Sequence, residues 1–234
     1  MKKQLVIIIM AVVFATAIYP TSSWAGNTFL PKDIIFNYFP LSPSAPGEWI
    51  VEPIERHEFA LEYENVIQKM KNALEQVSQK IKPFQSFDAD NEKWLEPQLV
   101  LVPSVVHLQG RPGETMAWYD YDFNTLAITW NVLKNENDIA PVFSHELGHW
   151  VWFNILTEEE KQQYLKIAGK PDQSDLDVAK KYQLDSDELL QEWFAEDFRV
   201  YVVGLKYENI NIHFKSHGEP EKLKEYFSKF RCQS

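Results

Sequence analysis

Two histidines stand one helical turn apart in the stretch SHELGHWVW, residues 144–152. Positions four apart lie on one face of an α-helix, so His145 and His149 can direct two imidazole nitrogens at one Zn²⁺ ion. Glu146 lies about 100° around the helix from His145, where a general base can take a proton from a zinc-bound water molecule. The spacing predicts a catalytic zinc site, and the alternative is a helix that carries two histidines by chance.

The neighbouring residues favour the zinc site, because the predicted helix has an apolar surface to bury. That surface consists of Val142, Phe143, Leu147, Val151 and Trp152. Gly148 is unusual, since glycine inside a helix costs about 1 kcal/mol relative to alanine. Either another segment passes closely over the helix at this residue, or the glycine is a tolerated weak position.

A catalytic zinc site needs a third protein ligand. The extended metzincin motif is excluded, because it requires glycine and histidine where this chain has Trp152 and Ile155. The stretch LLQEWFAEDFRVY, residues 189–201, instead offers Glu192 and Glu196 on one helical face. We interpret Glu192 as the ligand and Glu196 as the acceptor of a hydrogen bond from a ligand histidine. The alternative is a solvated acidic face, but carboxylates surrounded by apolar residues need a partner.

HELGH followed by EWFAEDF resembles the gluzincin metallopeptidases. The closer similarity is to the catalytic domain of anthrax lethal factor and to the secreted Pro-Pro endopeptidases. The resemblance implies a zincin-like fold with one catalytic Zn²⁺ ion. It implies that His145, His149 and Glu192 are zinc ligands and that Glu146 is the catalytic base. It also implies that Glu196 does not bind the zinc itself but contacts one of its ligands.

The resemblance covers residues 144–201 and has one departure. The relatives carry a tyrosine seven residues before the ligand glutamate, and this tyrosine can stabilise the oxyanion. Asp185 stands at that position in this chain. Tyr182, three residues earlier, is therefore our candidate oxyanion donor. Its rivals are Tyr201, His213 and His217.

The predicted reaction is hydrolysis of a peptide bond by a zinc-bound water molecule that Glu146 activates. Two alternatives remain open at this point. One is a zinc amidase that acts on cell-wall or other non-protein amides, and the other is a non-catalytic zinc-binding module. The expected partner is a peptide or protein substrate. The predicted strand from about Leu126 to Val132 could pair with an extended peptide.

The elements that must position these residues follow an α+β order, with a small sheet before a mostly helical half. Proline-rich residues 27–53 predict an extended segment, and an apolar stripe predicts a helix over 55–82 that ends at Pro83. A strand over 98–108 has a bulge or a break at Pro103, and a hairpin turns near 122–124. Four predicted helices follow. The first starts after the potential caps Asn137 and Asp138 and runs to about Ile155, and the second covers 157–169 with a Thr157/Glu160 capping box. The third runs from Asp185 or Ser186 to Tyr201 or Val203, with Gly204 as its terminator, and the last covers about 219–230.

The beginning of the chain has the three parts of a secretory signal. Lys2 and Lys3 precede an apolar run and a small-residue site ending at Ala25. A membrane anchor is the alternative, but the run is shorter than the ~20 residues of a spanning helix. The signal predicts a secreted or periplasmic bacterial protein. Residues 26–85 would form an N-terminal extended segment and long helix, and residues 86–234 a zinc metallopeptidase domain.

Composition limits the partners of the mature chain. Residues 26–234 contain 21 basic and 34 acidic residues, a net charge of −13, which disfavours binding to nucleic acid. We also expect no membrane contact after removal of the signal, and a monomer. Cys232 is the only cysteine, so the fold cannot depend on an internal disulfide. An apolar fraction of 45% is ample for a packed core.

Overall fold

The structure is a computed structural model, and it describes residues 34–36, 49–53, 56–82, 87–88, 93–94, 97–102, 104–108, 111–205 and 214–232. The expected signal, residues 1–25, lies outside these ranges. Within them, no helix has the length and apolar character needed to cross a membrane. The described chain is a mixture of helices and strands with more helix than strand, which confirms the α+β class.

The described strands form one four-stranded sheet and two small pairs. They are β1 (Ile34–Phe36), β2 (Trp49–Pro53), β3 (Phe87–Asp88), β4 (Lys93–Trp94), β5 (Gln98–Val102), β6 (Ser104–Leu108), β7 (Ala117–Asp120) and β8 (Thr125–Thr129). The main sheet has the order β1-β5-β8-β7, and β2–β6 and β3–β4 are the pairs. β1, β5 and β8 are parallel, whereas β7 is antiparallel to β8. β5 and β6 belong to different sheets, and Pro103, where a bulge or a break was expected, lies outside the described residues.

The two faces of the main sheet pack against different clusters. Leu99 and Leu101 on β5, with Leu126 and Ile128 on β8, lie in the large core that the helices share. The intervening residues Val100, Val102 and Ala127 form a small cluster with Val106 of β6. This division follows from the two-residue period of a strand, which sends successive side chains to opposite faces.

The β7–β8 hairpin turns at Tyr121–Asn124, where Asn124 has a φ of 48°. The turn was predicted from the sequence, but the strand chosen for substrate pairing was wrong. β8 lies between β5 and β7, so its main-chain groups are already used in the sheet. β8 also ends at Thr129, and Trp130–Lys134 form a short helix. The edge of the sheet on this side is β7.

The helices follow the predicted order, with two additions. They are α1 (Arg56–Ser78), α2 (Trp130–Lys134), α3 (Glu136–Asn154), α4 (Glu158–Ala168), α5 (Gln173–Lys181), α6 (Ser186–Phe198) and α7 (Pro220–Phe227). A π-helical turn, Arg199–Val203, continues α6, and a 3₁₀ turn, Ser228–Phe230, continues α7. α2 and α5 were not predicted from the sequence.

Local capping explains where several helices begin and end. The predicted capping box between Thr157 and Glu160 is present at the start of α4, and Gly169 ends that helix with a φ of 88°. Asn135 caps α3 by accepting a hydrogen bond from the N–H of Asn137, the residue that was itself expected to be a cap. Gly204 ends the helical segment, as predicted, and it does so in the left-handed conformation that glycine adopts readily.

The end of the chain returns to the end of α1. Ile81 and Arg231 form an antiparallel bridge, and the Lys82 N–H donates to the Phe230 carbonyl at 2.8 Å. The Cys232 N–H donates to the Lys80 carbonyl at 2.9 Å. The apolar stripe of α1 is buried in the same core as α3 and α6; it consists of Val66, Met70, Ala73, Leu74 and Val77. α1 is thus packed into the body that carries the candidate site.

Candidate metal centre

His145 and His149 lie one turn apart on α3, as the spacing predicts. Their ring centroids are 5.0 Å apart and the ring planes meet at 80°. Most of α3 is buried, but these two side chains retain 15% and 12% of their exposure. The two imidazoles therefore reach the surface of an otherwise buried helix.

Glu192 of α6 brings a carboxylate to both imidazoles. Its Oε2 lies 3.1 Å from His145 Nε2, and its Oε1 lies 3.6 Å from His149 Nε2. One donor atom from each of the three residues lies within 4.8 Å of the others. Ligands placed tetrahedrally at about 2.1 Å from a zinc ion are about 3.4 Å from one another. Two nitrogens and one carboxylate oxygen at these separations fit Zn²⁺ in chemistry and in size.

A close crossing of α3 and α6 brings these ligands together. A Cβ atom added to Gly148 would lie 2.6 Å from the Cα and 3.1 Å from the carbonyl oxygen of Ala195. These distances are too short for any side chain larger than hydrogen. Of the two explanations that the sequence allowed for Gly148, the close passage of another segment is the one that the structure has.

Glu196 lies one turn beyond Glu192 and touches the far side of His145. Its Oε2 is 3.5 Å from His145 Nδ1, whereas His145 Nε2 faces Glu192. Glu196 is buried and forms an ion pair with Arg199, whose Nε donates to Oε2 at 3.0 Å. The sequence interpretation did not include Arg199, although its position three residues after Glu196 is a spacing at which helical side chains meet.

Glu146 is buried beside the two histidines, with 7% exposure. Burial raises its pKa to about 7, and the charge of Glu192 acts in the same direction. His145 and the backbone N–H of Tyr119 on β7 oppose this rise. A carboxyl group with a pKa near neutrality can both accept and release a proton, as a general acid–base catalyst must.

The β7–β8 hairpin is fixed to α3 by side-chain hydrogen bonds. The Asn154 Nδ2 of α3 donates to the Tyr119 hydroxyl at 2.8 Å, and this hydroxyl donates to Asn124 Oδ1 at 2.9 Å. These bonds hold the Tyr119 backbone where its N–H reaches Glu146. The contribution of Tyr119 was missed from the sequence, because a main-chain donor leaves no signal in residue type.

The ligands differ in their protonation when no metal is bound. Burial opposes a charge on His145, but hydrogen bonds to Glu192 and Glu196 outweigh it and raise the pKa to about 10. Burial lowers the pKa of His149 to about 4. Burial alone would raise the pKa of Glu192, but the charges of His149, His145 and Arg111 lower it to about 2. A metal ion could bind His145 only if the imidazole gave up its extra proton, so binding at this group would depend on pH.

The candidate oxyanion donors have other contacts. The Tyr182 ring lies 5.4 Å from that of Phe214, and the Tyr201 ring stacks on Phe227 at 6.1 Å. These contacts are with groups other than the three ligands. His213 lies outside the described residues. Tyr182 therefore stays a prediction from the sequence.

His217, the remaining rival, belongs to a separate group. Its Nε2 lies 2.6 Å from Asp175 Oδ2 and 3.9 Å from Asp172 Oδ2. The two aspartates also form the capping box of α5, which the sequence interpretation missed. Capping and the ion pair account for this exposed group without a bound ion.

Neither a model of a known protein family, nor a curated protein, nor a solved structure matches the chain. Among the described residues, the group on α3 and α6 brings two imidazoles and the Glu192 carboxylate within 4.8 Å of one another, and the buried Glu146 carboxyl group interacts with His145 and Glu192.

Proposed function

We propose that the protein is a zinc-dependent endopeptidase of the gluzincin type, with a zincin-like catalytic domain. The observation that carries the proposal is the convergence of His145, His149 and Glu192, whose donor atoms lie within 4.8 Å of one another. The buried Glu146 beside them supplies the base that hydrolysis needs. The signal-like residues 1–25 support a secreted or periplasmic location.

Each residue has a distinct role in the proposed reaction. Zn²⁺, when bound, polarises the scissile carbonyl and makes the attacking water more acidic. Glu146 accepts the proton of that water and then delivers it to the leaving amine. Its pKa of about 7 suits both transfers, since neither protonation state is strongly favoured at neutral pH. Glu196 orients His145 through Nδ1 and leaves Nε2 for the metal.

The edge strand β7 supports a peptide as substrate. An extended chain can join a sheet through main-chain hydrogen bonds at an exposed edge. β7 occupies the edge next to α3, and its Tyr119 N–H already reaches Glu146. A peptide that paired with the remaining main-chain groups of this edge would pass close to Glu146, the proposed base.

Glu146→Gln is the decisive variant, because it keeps the shape of the side chain but cannot act as a base. We expect zinc content equal to that of the parent and a loss of peptide cleavage of about 10²–10⁴-fold. Metal analysis and digestion of a peptide library measure the two quantities. Glu159→Gln, an exposed substitution of the same type on α4, is the matched control. Cleavage by Glu146→Gln at the parental rate would contradict the mechanism.

Purified peptidoglycan, digested in parallel with the peptide library, tests the bond that is cut. The endopeptidase proposal expects cleavage of peptides and an intact cell-wall polymer. Release of cell-wall amide products by the parent, without cleavage of any library peptide, would instead assign the site to an amidase.

A further inference from the structure

We infer that Arg199 is a positioning residue of this metal centre. Arg199 holds the Glu196 carboxylate against His145, so that the imidazole presents Nε2 to the metal. The inference rests on the proposed function, because it assumes that His145, which the ion pair positions through Glu196, is a metal ligand. Arg199 reaches the site through the Glu196 carboxylate, which in turn contacts His145, so we assign it a positioning role.

The guanidinium engages both oxygens of Glu196. Arg199 Nε donates to Oε2 at 3.0 Å, and a terminal nitrogen donates to Oε1. A two-pronged contact of this kind sets the plane of a carboxylate as well as its position. The oriented Oε2 is the atom that lies 3.5 Å from His145 Nδ1. The path from the arginine to the metal ligand is therefore two contacts long.

The main chain that follows Arg199 restrains this residue from the side opposite Glu196. Arg199 begins the π-helical turn, and its carbonyl accepts a hydrogen bond from the Gly204 N–H at 3.1 Å. Its remaining terminal nitrogen donates to the Leu205 carbonyl. The guanidinium is thus held on one side by the carboxylate and on the other by the main chain. π-helical turns within helices occur frequently at functional sites.

Stability alone is a poor explanation for this pair. Arg199 and Glu196 are 2% and 5% exposed, so both charges lose most of their hydration on folding. Apolar residues of similar volume often stabilise a protein as well as a buried ion pair does. A fixed carboxylate on the outer nitrogen of a ligand histidine has a direct use, however, since it sets the tautomer and the ring orientation.

A double-mutant cycle on zinc affinity tests the inference. The variants are Arg199→Met, Glu196→Gln and the double variant, and the dissociation constant for Zn²⁺ is measured by competition with a chelator. We expect each single variant to bind zinc about tenfold more weakly than the parent, a typical effect of losing an outer partner of a ligand. The double variant should be no weaker than Glu196→Gln, because Arg199 has no effect once its carboxylate is gone.

The double variant also controls for misfolding. It removes the charges of both Arg199 and Glu196, so that no unpaired charge is left in the core. Arg231→Met, at an exposed arginine, is the control for a lost positive charge. The inference is overturned if Arg199→Met binds zinc as tightly as the parent, or if it weakens binding equally with and without Glu196. A parent that binds zinc in this cycle but cleaves no peptide refutes the proposed function alone.

Discussion

Gly148 of α3 packs directly against Ala195 of α6, backbone against backbone, with no room for a Cβ atom on the glycine. Gly148 immediately precedes the ligand His149, and Ala195 lies between Glu192 and Glu196. The crossing point of the two helices is therefore also the place where both carboxylates are brought to the imidazoles. The separation of the helices at this one position determines how far Glu192 reaches.

Gly148→Ala should destabilise the protein, although alanine is normally the better helix former by about 1 kcal/mol. The added methyl group would lie 2.6 Å from the Ala195 Cα, so the helices must separate. Overpacking of this kind costs about 1–3 kcal/mol. Urea unfolding measures the loss, and zinc affinity should fall in the same variant. Gln162→Ala on the exposed face of α4 is the control, and a more stable Gly148→Ala would contradict the close packing.

Glu192→Gln should lose most of the bound zinc while the fold persists. The carboxylate lies 3.1 Å and 3.6 Å from the two ligand nitrogens, and an amide is a far weaker ligand for Zn²⁺. Metal analysis after dialysis, with circular dichroism of the same samples, measures both properties. Asp187→Asn, an exposed acid of the same helix, is the control. Undiminished zinc in Glu192→Gln would refute the ligand assignment.

Removal of the metal should lower stability reversibly. Zinc that binds only the folded chain adds about 2.7 kcal/mol to the free energy of unfolding at a concentration 100 times its dissociation constant. The proposed ligands come from two helices, so a bound ion would link α3 to α6. Urea unfolding with chelator, and again after zinc is restored, measures the difference. Equal stability in both conditions would show that the metal does not bind at the α3–α6 crossing.

The raised pKa of Asp197 predicts that the free energy of unfolding depends on pH even when no metal is bound. Burial raises its pKa to about 6, despite hydrogen bonds from Ser216 and Tyr164. Its ordinary value is 3.8. The folded protein therefore holds this proton more tightly than the unfolded chain. The stabilisation is complete below the ordinary value and is lost as the pH rises through about 6.

Asp197→Asn isolates this effect from that of other carboxyl groups. Relative to the variant, the parent should lose on the order of 2–3 kcal/mol of unfolding free energy between pH 4 and pH 7.5. Urea unfolding of both proteins in chelator gives the difference at each pH. A constant difference across this range would contradict the raised pKa of Asp197.

Features that depend on nearby residues could be predicted from the sequence. The stripe of α1, the Thr157 capping box and the left-handed Gly204 each arise from contacts within a few positions. His145 and His149 belong to the same class, because one helical turn brings them together. Glu192 lies on a different helix, but the sequence still indicated it as a ligand. Two histidines need a third protein ligand to form a catalytic zinc site, and Glu192 is a carboxylate among apolar residues.

Features that depend on distant pairing could not be predicted in this way. Nothing near Leu126 in the sequence indicates that β8 lies between two other strands. Tyr119 contributes a main-chain N–H, which every residue except proline possesses. Arg199 matters through a buried ion pair, and its burial follows from the packing of the whole helical half. The missed helix α5 has a different explanation, because it depends on nearby residues. Its capping pair, Asp172 and Asp175, was visible in the sequence but was not recognised.

The bridge between Ile81 and Arg231 has a consequence for the order of events during synthesis. A chain emerges from the ribosome with its N-terminal part first. α1 therefore emerges before α3 and α6, which share its core, and its apolar stripe stays uncovered until those helices have been made. The bridge to Arg231 can form only later still, so it fixes the end of a helix that is already packed.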